Sequence, residues 1–382
     1  MNGKIAGLAG VFMLGGIVAL FATQHATAQF VNEQIDNYTK HQDPKSNVHI
    51  DYKILNKNIL AQQGELTFVY IDRDVKKKGK LKTYTTILPL YTSTRFEADD
   101  KATKEFFENF NITEANFSTF FKTGTAKLVT DKQKPAPFHV SLFGFDQNDC
   151  EITNANLKAE IDDLSNLTNN KFVSKAVFKT KKLRCSEALP RNNKLEETEY
   201  LSAEEVQLTT SLNQIISKDF DLKAPEFFAA KVEKVTFNGD RNPLTLKAVD
   251  ISRNVDVEKD EERVYINLFI ANGVPSKFHL EGIGDRYLEN ESEGLKKGKY
   301  FLQMQGPFFT SMPYVHNLYK AGFLQENKQR KTIESNISYE IDLFKMPTNM
   351  LMGATAPDAV KLKINGKEST PERVFAVMMG NI

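Results

Sequence analysis

The chain has 382 residues, with 50 Lys and Arg against 49 Asp and Glu and a mean hydropathy of -0.41. That length can bury one large core or two ordinary ones. A net charge of +1 excludes the global polycation that holds nucleic acid by counterion release, so no nucleic-acid partner is expected.

The first element is an apolar run from Ile5 to Thr23, 19 residues without an ionisable side chain. As a helix it would span about 28 Å, close to the roughly 30 Å hydrocarbon layer of a bilayer. Secretory leaders carry apolar cores of about 7–15 residues, so the length favours a retained anchor. Its lipid-facing side chains would be Ile5, Leu8, Val11, Phe12, Leu14, Ile17, Val18, Leu20 and Phe21. Ala26-Thr27-Ala28 supplies the small residues for the competing reading, a leader cleaved after Ala28 to release a secreted or periplasmic protein. No second run of spanning length follows.

Residues 29–42 place Val31, Ile35 and Tyr38 at helical spacing, a juxtamembrane helix that Asp43-Pro44 ends. The period then changes to two. VHIDYKI, GELTFVYID and KTYTTILPLY alternate apolar with polar and are rich in Val, Ile, Thr, Tyr and Phe, which predicts strands. Lys76 to Lys80 reads as a basic hairpin turn between two of them. A short helix is expected over Asp100 to Phe110, and strands again at TAKLVT, FHVSLFGF, CEITNANLKAEI and KFVSKAVFKT.

Cys150 and Cys185 are the only cysteines. In an exported protein an isolated pair is most simply a disulfide; two separate buried thiols are the alternative. Pro190 to Lys194 breaks the pattern and marks a candidate boundary between an N-terminal β-rich half, 43–190, and a C-terminal β-rich half with helices, 195–382. Ser202 and Glu205 have capping-box spacing, and Val206, Leu208, Leu212, Ile215 and Ile216 extend the pattern as a helix. Strands resume at KVEKVTFNGD, PLTLKAVDI, RVYINLFIA and KFHLEGI. A helix starts near Thr310 with Pro313 in its first turn and Gly322 at its end. TIESNISYEIDL and AVKLKINGKE are strands, and Thr370 caps a terminal helix opening at Pro371. The fold class expected is α+β and β-dominated: a large antiparallel sheet with a few packing helices, preceded by one transmembrane helix in residues 1–28.

At both ends the residues resemble the YdgA-like family of Gram-negative single-anchor envelope proteins. The front carries FVNEQIDNYTK and NVHIDYKILNKNILAQQGELTF, and the back carries LYKAGFLQENKQRKTIESNISYE and VKLKINGKESTPERVFAVMMG. The resemblance implies an inner-membrane address, a periplasmic body and a curved, concave sheet like that of grooved lipid-handling proteins. It carries over no catalytic residue.

Chemistry is sparse. His25, His41, His49, His139, His279 and His316 are widely spaced, and none stands beside a second ligand, so no metal or cofactor is expected. The segment after Asp146 fails as a calcium loop because Glu151 replaces the glycine and Leu157 the closing acid. Gly282-Ile283-Gly284 begins a dinucleotide fingerprint that Tyr287 breaks. Aromatic pairs recur at Phe120-Phe121, Phe227-Phe228 and Phe308-Phe309. They read as core, or as the lining of an apolar groove for acyl chains. The expected function is a non-enzymatic, membrane-tethered periplasmic binding or scaffold protein that handles an apolar ligand such as lipid. The alternative is a structural component docking onto an envelope protein complex; a hydrolase with an unrecognised site comes third.

Overall fold

A computed structural model describes residues 48–380, apart from 59, 73–74, 89–90, 121–122, 143–144, 163–173, 192–193, 212–225, 239–242, 287–293 and 343–358. The chain divides into two compact units, one ending at Pro225 and the other starting at Glu226. Pro190 and Lys194 therefore flank a connection inside the first unit.

The first unit holds β1 (Val48–Lys57), β2 (Ala61–Asp72), β3 (Val75–Leu88), β4 (Tyr91–Ala98), α1 (Lys101–Asn109), β5 (Ile112–Phe120), β6 (Thr123–Thr130), β7 (Ala136–Leu142), β8 (Phe145–Ile161), β9 (Ser174–Arg191) and β10 (Lys194–Ser211). Every ladder is antiparallel and follows chain order, except that β8 meets β7 with its first half and β6 with its second. Alternation turns Leu66, Leu81, Phe96 and Phe117 to the buried face. Threonines share that face and satisfy one another across the strands: Thr85 Oγ1 lies 2.8 Å from Thr94 Oγ1, and Thr92 Oγ1 lies 2.7 Å from Thr119 Oγ1.

Helix α1 starts where Asp100 accepts from the Thr103 N–H at 3.0 Å and from the Thr103 hydroxyl at 2.6 Å. The Lys80 N–H also donates to Asp100, tying the helix to β3. Burial alone would raise the Asp100 carboxyl, but these hydrogen bonds outweigh it and hold the group below its ordinary value.

Cys150 and Cys185 stand directly opposite each other on β8 and β9, buried and joined by a disulfide with a Cα separation of 4.0 Å. A few residues along, Asn154 on β8 and Glu205 on β10 hold left-handed backbone, with φ of 54 and 49. Both flank β9 where it passes from Thr180 to Lys182. Each reverses the in–out alternation of its strand, so Ile152 and Ala155, and likewise Ala203 and Val206, are buried three residues apart. That spacing explains the helix expected after Ser202. The segment is strand β10 through Ser211, and the three-residue interval belongs to a phase reversal within it. Lys76 to Lys80 are likewise in strand β3, paired with β2, and form no turn.

The second unit holds β11 (Phe227–Phe237), β12 (Leu244–Asp256), β13 (Glu261–Ile270), β14 (Ser276–Asp285), β15 (Leu295–Gln305), α2 (Pro307–Thr310), α3 (Pro313–Lys320), β16 (Gln325–Asn327), β17 (Thr332–Asp342), β18 (Val360–Ile364), β19 (Lys367–Ser369) and α4 (Pro371–Met378). Again all ladders are antiparallel, with β17 joining β15, β16 and β18. Helices α2 and α3 cover one face around Ile270, Met304, Phe309, Val315 and Leu324. Gly306, at φ 103, makes the turn into α2, where the Phe308 N–H donates to Ser276 Oγ at 3.1 Å. The terminal helix begins as its residues dictate: Thr370 accepts from the Arg373 N–H at 3.2 Å and Pro371 opens the first turn. It seats Val377 and Val374 against Phe323 and Ile364.

The β-dominated antiparallel fold with a few short helices is as expected, but two expectations are corrected. The transmembrane helix is withdrawn, and with it the inner-membrane address and the membrane, lipid and envelope partners built on it. Among the described residues no helix is long and apolar enough to cross a membrane. The longest, α1, has 9 residues against the roughly 20 a bilayer requires. The run from Ile5 to Thr23 and the juxtamembrane helix at 29–42 lie outside the described residues. The curvature is the second correction: the sheet is neither closed nor strongly curled.

Candidate functional site

The polar face of the second unit is built by register. Arg263 pairs with Ile283, Ile283 with Lys299, Lys299 with Ser338, Ser338 with Lys363 and Lys363 with Glu368, so six residues form one line across β13, β14, β15, β17, β18 and β19. Two residues along each strand, Glu261, Asp285, Lys297, Glu340 and Lys361 form a parallel line on the same face. In this second line both lysines converge on Glu340, and Glu261 and Asp285 stand without a cation partner among the described residues. Lys297 Nζ lies 3.3 Å and Lys361 Nζ 3.6 Å from the Glu340 carboxylate, and Asp285 accepts from the Lys297 N–H at 2.7 Å. The Lys297 hydrogen bond, chiefly, holds the Glu340 carboxyl below its ordinary value.

The first line is different. Arg263, Lys299 and Lys363 are exposed and alternate with Ile283 and Ser338. Among the described residues no carboxylate lies within ion-pair distance of these three cations, although Glu368 stands directly opposite Lys363 on β19. Strands sit about 4.8 Å apart, so the cations, two strands from each other, repeat at about 10 Å. Ile283, between the first two, is an exposed apolar side chain at 37%. A hollow of about 1160 Å³ runs along this face from β13 to α4, bordered by the carboxylates Glu261, Asp285, Glu340 and Glu368 as well as by Lys297, Lys299, Lys361, Lys363 and Arg373.

The opposite face stiffens this part of the sheet. The Tyr300 ring lies on Gly282 and the Tyr339 ring on Gly298 and Gly284, where any Cβ would collide with them. The two rings stack at 5.8 Å. Burial, then Tyr300, pushes the Tyr339 hydroxyl up to about 12. Glycine under aromatic cover keeps β14, β15 and β17 aligned, and alignment is what puts the cations in a line.

The residues singled out from the sequence fall elsewhere. Phe309 is core, 6.1 Å from Phe278, and Phe308 packs against the same cluster. Phe227 and Phe228 are successive residues of β11 and so point to opposite faces. Phe120 is exposed at the end of β5, and Phe121 lies outside the described residues. Under α1, Phe106 and Phe110 close over Ile152 and Phe178, leaving about 40 Å³, room for one small molecule and not for an acyl chain. His279 sits edge-on to Tyr265 and Phe301 with Nε2 3.6 Å from a Glu281 oxygen. No group of His, Cys, Asp and Glu among the described residues is placed to hold a metal ion.

Sequence reasoning missed the cation line. Its local trace is the pair of tripeptides Lys297-Gly298-Lys299 and Lys361-Leu362-Lys363, in which period two sends both lysines to one face. No family model, curated protein or solved structure matches this chain.

Proposed function

We propose that this chain is a structural component that docks a protein partner on the polar face of its second unit. One observation carries the reading: Arg263, Lys299 and Lys363 repeat along one line of an exposed face with no carboxylate among the described residues within ion-pair distance, while the lysines of the neighbouring line are held by Glu340. Like charges held in line by a rigid sheet raise one another's energy and attract an opposite surface, which favours association and sets its orientation. The test is the size of the particle in extracts of the cells that make it. The wild-type chain is expected to elute well above its own 43.3 kDa, and a variant with Arg263, Lys299 and Lys363 all changed to Glu at the monomer position. Changing Lys328, Arg330 and Lys331, exposed between β16 and β17, alters the net charge equally and should leave the particle intact. A wild-type chain that elutes as a monomer overturns the proposal.

A further inference from the structure

We infer that the partner presents an extended acidic segment, lying across the strands, with a carboxylate at every third residue. This rests on the docking reading and adds the chemistry of what docks. The cations repeat at about 10 Å, set by two strand spacings. A polyproline-II segment advances about 3.1 Å per residue with three residues per turn, so side chains at every third position share one side and repeat at about 9.3 Å. The two periods match over all three cations. Between Arg263 and Lys299, the exposed Ile283 offers an apolar contact to the residues that separate the acids.

The flanking lines decide the width of the occupant. On one side stand Glu261, Asp285 and Glu340, and on the other Glu281, each about 7 Å from the cation line along the strand. An α-helix, about 10–12 Å across, would cover these carboxylates as well as the cations. A nucleic-acid strand bears a charge on every residue and would set phosphates against Glu281, Asp285 and Glu340. A narrow chain with sparse acids meets the cations and avoids both flanks.

The experiment titrates the purified full-length protein with two synthetic peptides of one composition, repeated Glu-Pro-Ala and the same residues with the glutamates contiguous, reading fluorescence anisotropy at low and high salt. The repeat is expected to bind about tenfold more tightly than the contiguous peptide, from three exposed ion pairs acting together, and to lose that advantage at high salt. Lys299→Gln and Lys363→Gln, surface changes that leave folding intact, should each weaken the repeat about threefold and the contiguous peptide less. Equal affinity for the two peptides, or a repeat unaffected by Lys299→Gln, overturns the spacing and leaves the docking reading to the particle-size test. Tighter binding of a single-stranded oligonucleotide than of either peptide overturns the acidic-segment inference. An acidic-repeat peptide that binds while the cellular chain elutes as a monomer overturns the docking reading instead.

Discussion

The two units are both antiparallel runs, yet they distribute exposed charge differently and build different interiors. On the first unit, Glu65 meets Lys80 at 3.1 Å, Lys82 meets Asp99 at 2.6 Å and Glu114 meets Lys127 at 2.9 Å. Exposed pairs of this kind stabilise by less than about 1 kcal/mol each, and on β9 of the same unit Lys175, Lys179 and Lys181 are exposed without an ion pair among the described residues. On the second unit, the line through Lys299 keeps its cations open. The interiors differ too: the first unit relies on hydroxyl pairs and a disulfide, the second on helices laid over Met304 and Phe309.

The comparison can be broken at its covalent bond first. Replacing Cys150 and Cys185 by Ala removes a cross-link that spans 35 residues and should lower the stability of the first unit by about 4 kcal/mol in the chain-entropy model. Hydrogen exchange read by mass spectrometry should quicken in β6 to β10 and stay unchanged in β11 to β19; acceleration in both would show that the units are not separate in stability. The reciprocal change is Phe309→Ala, which empties a buried ring position among Ile270, Phe278 and Leu324 and should cost about 3 kcal/mol in the second unit alone. Here the readout is faster exchange in α2, α3 and β14.

A smaller effect sharpens the account of the first unit. Asp100→Ala removes the cap of α1 and its link to the Lys80 N–H, and should cost about 2 kcal/mol near neutral pH. Because the folded carboxyl titrates below its unfolded value, that contribution is present above the unfolded value and fades as pH falls through the folded one. Urea midpoints of wild type and variant should therefore converge below about pH 4 and stay apart above it.

Much of this was legible because it is local. Alternation in GELTFVYID and KTYTTILPLY marked β2 and β3, the helical stretch from Asp100 to Phe110 and the cap at Thr370 marked α1 and α4, and two cysteines in a strand-rich chain marked their own pairing. β10 was misread because a single left-handed residue, Glu205, imitates helical spacing. The cation line was illegible for a different reason. Arg263, Lys299 and Lys363 belong to three separate segments, and only the strand register, which no local pattern encodes, places them side by side.

Asn154 and Glu205 also police how the longest strands find each other. β8, β9 and β10 run 17, 18 and 18 residues, long enough that sliding one past its neighbour by two positions would keep most oily side chains inward. Such a slide drags one reversal off the other, and beyond that point one strand buries the wrong set of side chains. The kinks thus act as vernier marks. Cys150 and Cys185 face each other in the alignment that these marks fix.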